Sequence, residues 1–139
     1  MQCRKVDVTV VSAENVKEAS SFVQIRTYAV VWFEQRNRMK TRVDEHGNTN
    51  PSWNECLSFS VPESILDDPA SSLNIEIYRT RSVLGHKVIN MASIPVSELL
   101  KKPDGKQTLM YELIRRSGKT KGAVRFSVRV GEKTTIPAH

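Results

Sequence analysis

Long apolar runs are absent from this 139-residue sequence, and no stretch comes near the ~18 consecutive apolar residues of a membrane-spanning helix. No apolar segment follows Met1 as it would in a secretory signal, so we expect an intracellular, cytoplasmic protein. Only two cysteines occur, Cys3 and Cys56, which is too few for a disulfide framework. Histidine and cysteine do not cluster at metal-ligand spacing, so we expect no metal site and no cofactor.

The motifs of several common enzyme classes are also missing. The sequence has no G-x-S-x-G nucleophile turn, no P-loop and no H-E-x-x-H zinc motif. His46, His86 and His139 stand apart from any nucleophile motif, so we predict a non-catalytic protein. Aromatic and basic residues do not interleave as in a single-strand binder, so specific binding of nucleic acid is not expected.

What the sequence does have is an excess of positive charge. The formal net charge is +6, from 21 Lys and Arg against 15 Asp and Glu. A basic surface concentrates anions, which leaves phospholipid headgroups, nucleic acid and acidic proteins as candidate partners.

Short segments with alternating apolar and polar residues recur along the chain and are separated by turn residues such as Asn50-Pro51 and Ser117-Gly118. Alternation of this kind buries one face of a strand. About eight strands are predicted, near residues 6–10, 28–33, 38–43, 57–61, 73–77, 88–94, 109–113 and 124–130. Many short strands favour an all-β antiparallel sandwich or barrel with little helix. We expect one domain over residues 1–131 and a flexible C-terminal tail over 132–139.

One motif makes the prediction more specific. Asn50-Pro51-Ser52-Trp53-Asn54-Glu55, placed just before an alternating strand, resembles a signature of the C2-domain family. The opening strand Val6–Val16 (VDVTVVSAENV) and the final segment Lys121–Glu132 (KGAVRFSVRVGE) resemble small plant proteins built from one C2 domain. The resemblance implies an eight-stranded antiparallel C2-type β-sandwich, in the type II circular order of strands. It also implies loops at one end that bind calcium and dock on anionic membranes.

The calcium ligands of that family are aspartates on two loops, and this sequence departs from the pattern. No Asp or Glu occurs from Ala19 to Phe33 or from Ile77 to Ser97, and Glu18 is the only carboxylate near a ligand position. The other ligand positions align with Arg26, Arg79 and Arg81, and with His86 or Lys87. Because calcium takes six to eight oxygen ligands, cations there predict no calcium binding. Fixed guanidinium groups can instead meet phosphate directly. Solubilisation of the loops is the alternative interpretation.

A second basic cluster has every-second-residue spacing. It consists of Arg36, Arg38, Lys40 and Arg42. If Arg38–Val43 is a strand, its three cations lie on one face about 6–7 Å apart. This run resembles the lysine-rich patch with which many C2 domains bind phosphoinositide headgroups. The alternative is a solvated edge strand whose cations discourage aggregation.

These observations predict a calcium-independent module that binds anionic phospholipid or phosphoinositide membranes through the basic loops and the basic strand face. It would be peripheral at the plasma membrane or another anionic membrane. The apolar pairs Phe22-Val23 and Val83-Leu84 either insert into the headgroup region or pack on the sandwich. The resemblance to small plant proteins implies stress or defence signalling. The alternative function is a protein-docking scaffold with little lipid binding.

Overall fold

The structure is a computed structural model that describes residues 1–16, 24–81, 83–102 and 105–135. These residues form eight strands and two short helices. The strands are β1 (Gln2–Glu14), β2 (Thr27–Trp32), β3 (Met39–Lys40), β4 (Ser52–Pro62), β5 (Ser72–Arg79), β6 (Lys87–Pro95), β7 (Lys106–Arg115) and β8 (Thr120–Thr135). The helices are α1 (Glu63–Leu66) and α2 (Val96–Leu99), and a 3₁₀ turn covers Gln35–Asn37. In the described part of the chain, no helix is long and apolar enough to cross a membrane.

The strands are antiparallel and hydrogen-bonded in the order β3-β2-β5-β6-β7-β8-β1-β4. The junction between β6 and β7 is short, since only Asn90 and Met91 pair across it, with Arg115 and Ile114. The sheet folds over at this junction into two layers, β3-β2-β5-β6 and β7-β8-β1-β4. The predicted all-β sandwich is therefore confirmed, and the strand order agrees with the expected type II arrangement.

Alternating side chains from both layers fill one core. Val6, Val8 and Val10 of β1 are fully buried and pack in the same cluster as Ile75 and Ile77 of β5. Trp53, from the Asn50–Glu55 motif whose last four residues begin β4, lies in this cluster and donates its indole N–H to the carbonyl of Thr27 at 3.1 Å. This hydrogen bond joins the layer that contains β4 to the layer that contains β2.

Strand β2 is buried on both faces. Ala29 and Val31 point into the main core, whereas Tyr28, Val30 and Trp32 form a second cluster on the outer face with Tyr78. Tyr28 and Tyr78 stack with ring centroids 5.3 Å apart.

The end of the chain differs from the sequence prediction. Residues 132–135, expected to begin the tail, continue β8, where Lys133, Thr134 and Thr135 pair with Arg4, Cys3 and Gln2. The remaining residues of the predicted tail, 136–139, lie outside the described part of the chain. The apolar alternation ends at Val130, so side-chain pattern alone could not show that backbone pairing continues.

Candidate functional site

The loops at one end of the sandwich form the candidate site, because antiparallel strands bring the β1–β2, β3–β4, β5–β6 and β7–β8 connections to the same end. Thr27 pairs with Arg79, and the N–H of Thr80 donates to the carbonyl of Arg26 at 2.9 Å. The two loops expected to meet are thus adjacent, and Arg26 lies close to Arg79 along the backbone.

A carboxylate organises the β3–β4 loop, which connects the two edge strands of the sheet. Asp44 accepts hydrogen bonds from the backbone N–H groups of His46, Gly47 and Ser52 at 3.0, 2.6 and 2.8 Å. Partial burial opposes its ionisation, but these three donors outweigh burial and hold the pKa of Asp44 below its ordinary value. The negative charge of Asp44 is therefore stabilised by hydrogen bonds within its own loop.

The same loop braces its neighbours. The side-chain oxygen of Asn48 accepts the N–H of Ile25 at 2.9 Å, and the carbonyl of Thr49 accepts the N–H of Val16 at 3.0 Å. These bonds fix the chain on either side of residues 17–23. That segment contains Glu18, Phe22 and Val23, which lie outside the described residues.

The β5–β6 hairpin, residues 80–86, carries an apolar tip. Val83 is 86% exposed and Leu84 is 76% exposed. Arg81 holds the tip from inside the loop, donating from Nε to the carbonyl of Gly85 at 2.7 Å and from Nη2 to that of Leu84 at 3.2 Å. Gly85 has φ +75°, a conformation in which a side chain would be strained.

Cations surround this tip. Arg79 pairs with Lys87 where β5 meets β6, and the Nδ1 atom of His86 lies 2.7 Å from the Tyr28 hydroxyl. A groove of about 440 Å³ on the outer face is lined by Arg81, His86, Lys87 and Arg116, with the apolar Met91 and Ile114 and a single carboxylate, Glu76. Arg116 was missed by sequence reasoning, although it directly precedes the predicted Ser117-Gly118 turn, which puts it at this end.

Arg26 lies at the same end, beside the base of the β5–β6 hairpin. Among the described residues its ion-pair partner is Glu45, with Nη1 and Oε1 4.0 Å apart and both side chains mostly exposed. A pair of this kind is screened by solvent and leaves most of the Arg26 charge available.

The prediction that Arg38, Lys40 and Arg42 lie on one face of a strand is wrong. Strand β3 has only Met39 and Lys40, and Thr41 ends it because its Oγ1 accepts the N–H of Ala29 at 3.0 Å, where a backbone carbonyl would otherwise continue the ladder. Arg42 turns away and donates from Nη2 to the carbonyl of Trp53 at 2.8 Å. Arg36 lies in the 3₁₀ turn, with Nη2 3.4 Å from Glu34.

Arg38 and Lys40 do reach the outer face of β2, where they cover its aromatic residues. The Arg38 guanidinium lies 4.3 Å from the ring centre of Trp32 and forms an ion pair with Glu76 at 2.9 Å. The Lys40 ammonium lies 5.9 Å from the ring centre of Tyr28. The charge of Arg38 is already compensated in the fold, so the four cations do not form one continuous patch.

Carboxylates that could hold a metal ion are scarce in the part of the chain that the structure describes. No group of three or more His, Cys, Asp or Glu residues there has suitable geometry. Most charged side chains at the described loop end are arginine and lysine, which are cations and cannot coordinate a metal ion.

Comparison with known proteins gives a consistent picture. The sequence profile of the C2 domain matches residues 4–113. The protein SRC2 homolog of Arabidopsis thaliana is 35% identical over 97% of this chain, which spans only 43% of that relative. BON1-associated protein 2, from the same plant, is 28% identical over 97% of this chain and 68% of its own length. A C2 domain of plant extended synaptotagmin 1 superposes with a TM-score of 0.72 at 24% identity, over 95% of this chain and 97% of that domain.

Proposed function

The chain belongs to the C2-domain family, whose members typically bind membranes or proteins, and we propose that it is a non-catalytic, calcium-independent module that binds anionic phospholipid membranes with its loop end. The β5–β6 hairpin carries this proposal. It presents two exposed apolar side chains, Val83 and Leu84, between cations that neighbour the tip on both strands. Such a tip matches a membrane surface, which is anionic outside and apolar beneath.

The charge at this end supports the proposed independence from calcium. A calcium ion in other members of the family bridges the protein to lipid phosphate. Here Arg79, Arg81 and Lys87 carry the positive charge themselves, and a divalent cation beside them would be repelled. Guanidinium groups can bind two phosphate oxygens at once, so the headgroup needs no metal bridge.

The strength of this attachment is modest. Each basic residue near an anionic leaflet contributes roughly 1 kcal/mol, and the attraction decays over a Debye length of about 8 Å at physiological ionic strength. Binding would therefore be reversible and sensitive to salt. Lys40, on the outer face beside Tyr28, is a secondary contact for a phosphoinositide headgroup, and Arg38 adds less because Glu76 already compensates its charge. The protein would be cytoplasmic and peripheral at the plasma membrane or another anionic membrane, where it acts in stress or defence signalling.

Protein docking is the second candidate function. Its support is the relative whose printed name describes association with BON1. Since that relative and this chain share the fold but only 28% of residues, the partner does not transfer with the similarity.

Charge reversal at the loop end tests the lipid proposal. We expect Arg79→Glu with Lys87→Glu to weaken binding to vesicles of phosphatidylcholine with one quarter phosphatidylserine by at least about 2 kcal/mol, or roughly 30-fold. The matched control is Lys102→Glu with Lys106→Glu, which makes the same change of charge at the opposite end of the sandwich. If the control loses as much binding as the loop variant, the vesicles attract the protein through its net charge alone and not through the loop end. If neither variant nor the native protein binds, protein docking becomes the better explanation.

A further inference from the structure

The two free edges of the sheet are unlike each other. The β3 edge is two residues long, contains Lys40 and is preceded by Arg38, which are features that discourage another chain from pairing there. The β4 edge is eleven residues long and pairs only with β1 among the described strands. It has no lysine, and its only proline, Pro62, is its last residue.

From Cys56 to Val61, β4 has no backbone hydrogen bond to any described segment other than β1. In an antiparallel strand, alternate residues direct their N–H and C=O groups away from the neighbour they already have. The outward side chains of this stretch, Cys56, Ser58 and Ser60, are small and uncharged. Nothing in this stretch therefore blocks an additional strand, in contrast to the start of β4, where Arg42 already occupies the carbonyl of Trp53.

A groove of about 530 Å³ runs along this open stretch, between β4 and the 3₁₀ turn with β3. Phe33, Phe59 and Met39 give it an apolar wall, and the two phenylalanine rings meet edge to face at 5.5 Å. In an added strand every second side chain would point into this groove. The groove thus suits a peptide with apolar residues at alternate positions.

The rim of the groove carries two arginines and one glutamate, an excess of one positive charge among its charged lining residues. Arg36 lines it with its side chain 73% exposed, and Glu34, which also lines the groove, is 25% exposed and lies 3.4 Å from Arg36. Arg38 also lines the groove, although Glu76 compensates its charge. A second copy of this chain would bring its own net charge of +6 to the interface and be repelled, whereas an acidic segment would be attracted.

We propose that β4 binds an extended acidic segment of a partner protein, which adds to the sheet as a ninth strand beside Cys56–Val61. Backbone hydrogen bonds to β4 hold the segment, alternate apolar side chains fill the groove, and Arg36 pairs with a carboxylate at its rim. This surface is at an edge of the sandwich, separate from the hairpin that carries the lipid proposal. Either proposal can therefore fail without the other.

The test uses the full chain and a capped seven-residue peptide of alternating valine and aspartate. Amide hydrogen exchange, followed by NMR, should slow at alternate residues of 56–61 when the peptide is added. A peptide N-methylated at alternate positions keeps the same charge but cannot pair along one edge, and it should give no protection. Arg36→Glu should weaken the peptide at least about tenfold, whereas Lys106→Glu, an equal change of charge far from the groove, should leave the affinity within about twofold.

Three results would overturn the proposal. Equal binding of the N-methylated peptide would show attraction by charge alone. Absence of protection in β4 at millimolar peptide would show that the edge does not accept a strand. Self-association of the chain with protection of the same amides, seen by sedimentation without peptide, would make a second copy the occupant.

Discussion

Removal of the apolar tip of the β5–β6 hairpin should weaken membrane binding without affecting the fold. Val83 and Leu84 are 86% and 76% exposed, so the fold gains little from them. Exposed substitutions of this kind usually change the free energy of unfolding by less than about 0.5 kcal/mol. The variant Val83→Ser with Leu84→Ser therefore separates binding from stability.

The size of the effect follows from the area that the tip would bury. Full burial of a valine or leucine side chain is worth about 1.5–3 kcal/mol, and the low end suits insertion only to the headgroup boundary. Two residues then give about 3 kcal/mol, which corresponds to a roughly 100-fold lower partition coefficient. The assay is vesicle co-sedimentation with a chelator present, at low and physiological salt.

Salt dependence distinguishes the tip from the cations around it. The loss caused by the serine variant should be the same at both salt concentrations, since burial of apolar area is not screened as charge is. The loss caused by Arg79→Glu with Lys87→Glu should shrink as salt rises. Met110→Ser, on the outer face of the other layer, is the matched apolar control. Unchanged binding by the serine variant would refute insertion of the tip and leave charge alone to hold the membrane.

Two further predictions concern the loops that build the site. Asp44→Asn should lower the free energy of unfolding at pH 7 by about 1.5 kcal/mol, because the carboxylate accepts three backbone N–H bonds. The folded-state pKa of Asp44 lies below its unfolded value near 4, so this stabilisation is present above about pH 4 and disappears as the pH falls through the folded pKa. Urea unfolding at several pH values should show the two proteins converging in acid, and a constant difference would contradict this reasoning. Gly122→Ala should cost about 2–4 kcal/mol, because φ is +86° and a Cβ would lie 2.6 Å from the carbonyls of Glu14 and Asn15. Gly118→Ala, with φ +89° but open space around it, should cost only about 1 kcal/mol in the same urea unfolding assay.

The sequence predicted the strands that have one buried face. In β1 and β4 the alternation of valine, leucine and phenylalanine with polar residues indicates which side chains meet the core, and a one-residue shift in pairing would expose all of them. The proximity of the β1–β2 and β5–β6 loops followed from the same topology. Thr27, which follows Arg26 directly, pairs with Arg79 as a result.

The basic strand could not be predicted correctly, because its pattern of cations says nothing about their partners. Thr41 ends β3 with a side-chain hydrogen bond to Ala29, and Arg42 finds the Trp53 carbonyl across the loop. Both contacts join residues that are distant in the sequence, and a local alternation of cations gives no information about such pairs. The ion pair of Arg38 with Glu76 likewise depends on β5 lying beside β2, so the charge available at this face is smaller than the sequence suggested.

The central claim is attachment to anionic membranes without calcium. Co-sedimentation with neutral and anionic vesicles, each with calcium and with a chelator, tests it most directly. We predict binding to anionic vesicles that is the same in calcium and in chelator and that weakens with salt. Binding that appears only with calcium would contradict the claim, and would show that the loop end holds the ion despite Arg79, Arg81 and Lys87.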